Sequence, residues 1–252
     1  MPLLNQYAGH HKLDQTLFSR GVDFTNCNLF APLWHPRSKV SPFISFDKTG
    51  HSITATGATW SWPYGYSLDP VDDFLTFGDT STLAWMHGKG NISAFAWTVI
   101  WYGKLSSFGQ HNKILDTSDG TTDVGVYMYT QTTTRTLNIW ITNTGGNSIC
   151  QATPGAKTFP ADGAYHQVAM TYDQSLGSNN LAIYFDRVFV ENKTKTANAP
   201  SNVNSWIAPK HGGILNGISS ELFIYQQKVL SSTEIVQHYL AAKRRMPWAN
   251  LP

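Results

Sequence analysis

His166-Gln167-Val168-Ala169-Met170-Thr171-Tyr172 and Leu181-Ala182-Ile183-Tyr184-Phe185 are followed by Ile218-Ser219-Ser220-Glu221-Leu222-Phe223-Ile224-Tyr225, three runs rich in β-branched and aromatic side chains. Turn formers such as Asp173, Asn179, Asn180 and Gly217 separate them, so each reads as a strand. Soon after the third run, Ser231 and Glu234 hold the spacing of a capping box, in which each residue satisfies a backbone N–H at a helix start. Ile235, Val236, Tyr239 and Leu240 give that helix one apolar face, and Pro247 stops it. Strands in succession closed by one short helix predict an all-β protein.

Reading toward the N-terminus repeats the pattern. Thr136-Leu137-Asn138-Ile139-Trp140-Ile141 is a strand closed at Gly145-Gly146. Lys113-Ile114-Leu115 and Val124 to Tyr129 flank Asp119-Gly120, a dipeptide suited to a tight hairpin turn. Ala94 to Tyr102, with Trp97, Val99, Ile100 and Trp101, is apolar enough for a central strand. Phe43–Phe46 and Ser52–Thr56 are short strands about the turn Asp47-Lys48-Thr49-Gly50. Residues 1–42, with His10-His11, Pro32 and Pro36, show neither a period of 2 nor one of 3.6. The organisation predicted is an extended N-terminal arm at 1–42, a sandwich with its helix at 43–242, and a tail at 243–252.

Composition agrees. The chain has 252 residues, of which 13% are charged and 13% aromatic, and a formal charge of +2. That length suits one large β domain with an ample core. The basic residues are dispersed except for Lys243-Arg244-Arg245, which complement the dipole at the last turn of the helix, so the basic stripe required for nucleic acid is missing. Cys27 and Cys150 form no framework and read as free, buried thiols. With no apolar stretch of the ~20 residues that span a bilayer and no leader pattern, the expectation is a soluble chain without membrane insertion.

The C-terminal half resembles the laminin-G-like, concanavalin A-like sandwich family. The resemblance is carried by Ala164–Asp173, Asn180–Asp186, Gly212–Tyr225 and the capped helix, in that order. The family has Gly after the aspartate of its Leu-x-Ile-Tyr strand; here Arg187 follows Asp186. Thr56–Trp60 through Leu68-Asp69-Pro70-Val71-Asp72-Asp73-Phe74 is similar to the opening of such domains. Trp34-His35-Pro36-Arg37 and Phe43–His51 are similar to segments of laminin-G-like proteins encoded by tailed bacteriophages. The resemblance implies a two-sheet antiparallel jelly roll, a bacteriophage virion setting such as capsid decoration or a tail adhesion module, and other virion proteins as partners of the arm.

Chemistry is sparse. Glycoside hydrolysis needs two carboxylates facing each other across the scissile bond. The glutamates are Glu191, Glu221 and Glu234, scattered along the chain, so a divergent hydrolase would require a pair such as Asp123 with Glu221 brought together by the fold. No nucleophile elbow, phosphate loop or zinc spacing occurs, and the chain reads as non-catalytic. Calcium stays open as a cofactor: Asp72 and Asp73 at one place and Asp116, Asp119 and Asp123 at another supply carboxylate oxygens, although aspartates are also ordinary turn residues. Trp101, Tyr127, Tyr129 and Trp140 lie on strands where alternation can gather aromatics on one face to stack on sugars. The leading expectation is a virion-surface structural protein made in the host cytoplasm. Its rival is a free or secreted, extracellular glycan-binding domain, and homo-oligomerisation stays open under both.

Overall fold

The structure, a computed structural model, describes residues 22–79, 81–87, 95–109, 111–117, 125–132, 134–142, 148–152, 158–197 and 209–252. In chain order the strands begin with β1 (Cys27–Pro32), β2 (Phe43–Ile44), β3 (Ser52–Thr56), β4 (Thr59–Ser61), β5 (Gly65–Leu68) and β6 (Phe74–Phe77). They continue with β7 (Ala96–Leu105), β8 (Asn112–Asp116), β9 (Val126–Thr130), β10 (Leu137–Thr142) and β11 (Ser148–Ala152). The last are β12 (His166–Asp173), β13 (Leu181–Phe185), β14 (Val188–Lys193), β15 (Lys210–Gly212) and β16 (Gly217–Gln226), before helix α1 (Ser232–Arg245).

These strands make two antiparallel sheets. The first has the order β14-β13-β12-β7-β16-β5-β4, with β1 also paired to β16. The second has the order β11-β10-β9-β8-β15-β6-β3-β2. Alternation sends Trp97, Val99 and Trp101 of β7, with Val168, Met170 and Tyr172 of β12, toward the second sheet, where they meet Met128, Ile139, Leu75 and Phe77. The opposite parity, Ile100 and Tyr102 of β7 and Ala169 of β12, together with Phe223 and Tyr225 of β16, packs under Ile235, Tyr239 and Ala242 of α1 and under Phe30. The first sheet is therefore buried on both faces, which is why β7 and β16 are buried almost continuously along their length. The second sheet alternates: β9 is buried at Val126, Met128 and Thr130 and half-buried at Tyr127 and Tyr129.

The expected arm is displaced. Residues 27–32 pair with β16 from Cys27↔Tyr225 to Pro32↔Glu221. Leu29, Phe30, Ala31 and Leu33 are buried. The buried Asp47 side chain holds this strand to the predicted 47–50 turn, accepting from the N–H of Phe30 at 2.9 Å and from Thr49 and Gly50 at 2.8 and 3.0 Å. Periodicity missed β1 because a strand flanked by core on both sides need not alternate. Residues 1–21 of the arm lie outside the described residues. The tail is likewise part of the fold: α1 runs on to Arg245, and Met246, Ala249 and Leu251 are buried against the helix-side core.

The helix start is as expected: Ser231 Oγ accepts from the Glu234 N–H and Glu234 returns a bond to the Ser231 N–H. Asp186 and Arg187 take φ of 47° and 68°, the left-handed pattern of a type I′ hairpin, although Gly is absent. Arg187 is held there by its N–H donating to Gln167 Oε1 at 2.9 Å, with its guanidinium 5.0 Å from the Tyr239 ring centre. Cys27 and Cys150 are free and buried in different cores. Among the described residues no helix is long and apolar enough to cross a membrane.

Candidate ligand-binding face

The outer face of the second sheet gathers three of the four aromatic candidates. With Val126 and Met128 in the core, Tyr127 and Tyr129 must point outward. Trp140 is directly opposite Tyr127, and Asn138 is opposite Tyr129. The Tyr129 and Trp140 rings are 6.1 Å apart at 68°, and His111 stands edge-on to Tyr129 at 5.1 Å. All three aromatics are half-buried, with the partial exposure a stacking platform needs. Burial raises the Tyr129 hydroxyl pKa above its ordinary value, so it remains a protonated donor.

Trp101 does not belong to this group. It is fully buried between the sheets, and its Nε1 donates to Ser219 Oγ at 2.7 Å. Because β7 is apolar at both parities, composition could not tell which of its rings faces outward; neither does, since α1 covers the other side.

Polar residues that sequence reasoning did not assign to a ligand face complete it. Across the ladder, Gln151 opposes Trp140, Tyr127 opposes Asp116, and Asp116 opposes Lys210. Residues directly opposed in neighbouring strands share a face. Lys113 Nζ pairs with Asp116 Oδ2 at 2.7 Å and lies 5.5 Å from the Tyr127 ring centre. Lys210 Nζ lies 4.5 Å from the ring centre of Phe74. The available signal was the bulge in β8, which leaves Ile114 and Leu115 both in the core and turns Lys113 and Asp116 outward together.

The calcium candidates divide. Asp116 is committed to Lys113 on the sheet face, while Asp72 and Asp73 cluster with Asp69, their carboxylate oxygens within 4.8 Å, between β5 and β6. Asp119 and Asp123 lie outside the described residues. At the cluster, Asp73 Oδ2 accepts from the Asp69 N–H and Asp69 Oδ1 from the Val71 N–H, both at 2.8 Å. Burial and the neighbouring charges of Asp69 and Asp72 raise the Asp73 pKa. Asp69 and Asp73 thus spend carboxylate oxygens on their own turn, the ordinary role of aspartates between strands.

Two other polar sites hold the fold together. Glu221 is fully buried on the helix side of β16, where Oε1 accepts from Trp34 Nε1 at 2.9 Å and from Arg245 Nε at 3.1 Å, and Oε2 accepts from Arg245 Nη2 at 2.8 Å. Of the basic run, Arg245 is thus a buried partner rather than a solvated cation. His166, buried beside Phe159 and Phe185, presents Nδ1 to Asp186 Oδ2 at 2.7 Å and Nε2 to Asp162 Oδ1 at 3.2 Å. Burial pulls its pKa down, but hydrogen bonds and charge from the two carboxylates more than offset this and leave it raised.

No family model matches the sequence, and no curated protein matches it either. Among solved structures, Trypanosoma rangeli sialidase in complex with sialic acid aligns with a TM-score of 0.67 and 11% identity, over 97% of this chain and 39% of that one. The binding domain of botulinum neurotoxin DC in complex with SialylT aligns with a TM-score of 0.60 and 12% identity, over 86% of this chain and 52% of that one. Domain 4 of AbnA, an extracellular arabinanase from Geobacillus stearothermophilus, in complex with arabinotriose, gives 0.58 and 12%, over 85% of this chain and 98% of that domain. The fold is a concanavalin A-like β-sandwich. Likeness at such identities concerns architecture alone, and this chain spans less than two fifths of the sialidase, at 39%.

Proposed function

We propose that this protein is a non-catalytic glycan-binding module that takes an oligosaccharide across the outer face of its second sheet. The observation that carries the reading is the convergence of Tyr127, Tyr129 and Trp140, half-buried, on the outer face of the second sheet, which α1 does not cover. Such rings offer broad apolar planes at low entropic cost, with polar edges for hydroxyl groups. Two neighbours of the fold, the neurotoxin binding domain and the arabinanase domain, were solved with SialylT and arabinotriose bound, which supports a carbohydrate ligand. The strands of the second sheet carry one carboxylate, Asp116, where hydrolysis would use two, and Glu221 is occupied by Arg245 and Trp34 on the far side of the first sheet. The test is an oligosaccharide array followed by calorimetry: Trp140→Ala and Tyr127→Ala should each weaken binding about tenfold or more, as truncating a stacking residue at an interface does. Binding unaffected by both substitutions would remove the proposal.

The laminin-G-like relationship and the virion-surface setting belong to the same proposal as an account of where the module is mounted. Since residues 27–42 contribute to the described fold, attachment falls to residues 1–21. Deleting them should detach the chain from particles, assayed by mass spectrometry of purified virions, without changing the melting temperature. A truncated chain still present on particles would rule this mounting out.

A further inference from the structure

We infer that the oligosaccharide is an acidic one, read by two ammonium groups that sit over aromatic rings on the second sheet; the inference rests on the glycan-binding reading above. The strands of this sheet place Lys113, Asp116 and Lys210 on the outer face. Lys113 and Asp116 neutralise each other at 2.7 Å. Lys210 has no ion pair among the described residues, and its ammonium lies over Phe74 at 4.5 Å. Among the described strand residues of this face the surplus charge is therefore positive and located at Lys210.

An ammonium can only donate. Lys210 stands three strands from Trp140 along the row, about 14 Å at the usual strand spacing. A carboxylate or sulfate, which accepts without donating and carries the opposite charge, answers it.

Between these ends lies Tyr127, directly opposite Trp140 in the ladder and with Lys113 5.5 Å from its ring centre. An anionic substituent on a sugar stacked at Tyr127 also comes within reach of Lys113, which can share its proton donors between Asp116 and the ligand. The arrangement thus couples apolar stacking with an ammonium at each of two rings. A neutral glycan would leave the Lys210 charge unanswered, whereas an acidic glycan answers it and gains long-range attraction.

The experiment presents the full chain with an array of neutral, uronic-acid-bearing, sialylated and sulfated oligosaccharides, then measures the best ligand by calorimetry at low and high salt. The inference expects the bound set to be anionic, with affinity falling as salt screens the charges. Comparing carboxylated with sulfated members identifies which anion is used. Lys210→Gln should weaken the acidic ligand about tenfold while Lys210→Arg retains it, because the charge and not the packing is being read. If neutral oligosaccharides bind as well and Lys210→Gln changes nothing, the charge selectivity is wrong while the glycan-binding reading stands. If no oligosaccharide of any charge binds, both fail.

Discussion

The two outer faces of this sandwich start from similar material and end in different roles. On the first sheet, the outward residues Ile100, Tyr102, Phe223 and Tyr225 are sealed under α1 and β1; on the second, Tyr127, Tyr129 and Trp140 remain half-buried with Lys113, Asp116 and Lys210 among them. The difference is one of cover. A helix with Ile235, Tyr239 and Ala242 on one face and a strand with Phe30 supply the missing half of a core for the first sheet. Among the described residues, α1 and β1 do not do this for the second, whose aromatics keep partial exposure. Exposed aromatics flanked by charge are expected of a binding surface, while sealed ones are expected of packing.

The sharpest way to break this comparison is to unpin the cover. Glu221, Arg245 and Trp34 join β16 to the end of α1 and to the segment after β1. Glu221→Ala leaves a buried guanidinium without its counter-ion, and removing one partner of a buried pair costs about 3–5 kcal/mol. Chemical denaturation should show a loss of that size, together with exposure of the helix-side core to a hydrophobic dye. A loss below about 1 kcal/mol would mean that packing alone holds the cover, as in pairs of surface quality.

The open face should respond in the opposite way. Trp140→Ala and Tyr127→Ala remove half-buried rings without opening a core cavity, so their effect on unfolding should stay near the mutational average of about 1 kcal/mol, far from the 3–5 kcal/mol of a core aromatic. Their effect should appear in binding. If either substitution destabilised the protein as much as Glu221→Ala, that ring would be serving the core and the two faces would not differ in kind.

How much of this was legible beforehand follows from the same contrast. The strands of the C-terminal half and the capped helix could be read directly, because turn residues punctuate them and Ser231 with Glu234 marks the helix start. β1 could not, since Cys-Asn-Leu-Phe-Ala-Pro has no alternation and its role depends on β16, far along the chain. β15, of three residues, is too short to carry a period. For the face, the aromatics were visible but their parity was not. Trp-Thr-Val-Ile-Trp-Tyr in β7 and Val-Tyr-Met-Tyr in β9 are apolar or aromatic at nearly every position, and only the cover over one of them decides that Trp101 is core and Tyr127 is surface. Lys210 joins the face through pairing with Asp116, a contact between distant segments that no local pattern encodes.

The mildest test uses pH, because two histidines of the first sheet and its cover, His166 and His238, respond with opposite sign. His238 lies under the cover, its Nε2 facing Tyr225 Oη at 2.8 Å; burial first, then the charges of Arg245 and Lys228, lower its pKa to about 3. It must stay neutral in the fold, so its contribution is present above the unfolded histidine value of about 6.5 and is lost as pH falls below it. His166 is raised by Asp186 and Asp162, so the stability it adds is complete below about pH 6.5 and is lost as pH rises through its folded value. Asp186 also accepts from the Gln167 N–H at 2.9 Å, and Gln167 in turn reaches Tyr102 Oη at 2.8 Å, so protonated His166 braces the β13–β14 hairpin that carries Arg187 to Tyr239. Melting temperatures across pH 5 to 8, below the range where the buried thiols of Cys27 and Cys150 add an alkaline loss of their own, should therefore decline on both sides for the unmodified chain. His166→Gln should remove the alkaline decline and leave the acid one, because His238 is untouched. An alkaline decline that persisted in that variant would show that the clamp between the two aspartates does not hold the hairpin, and that the cover is anchored from the helix side alone.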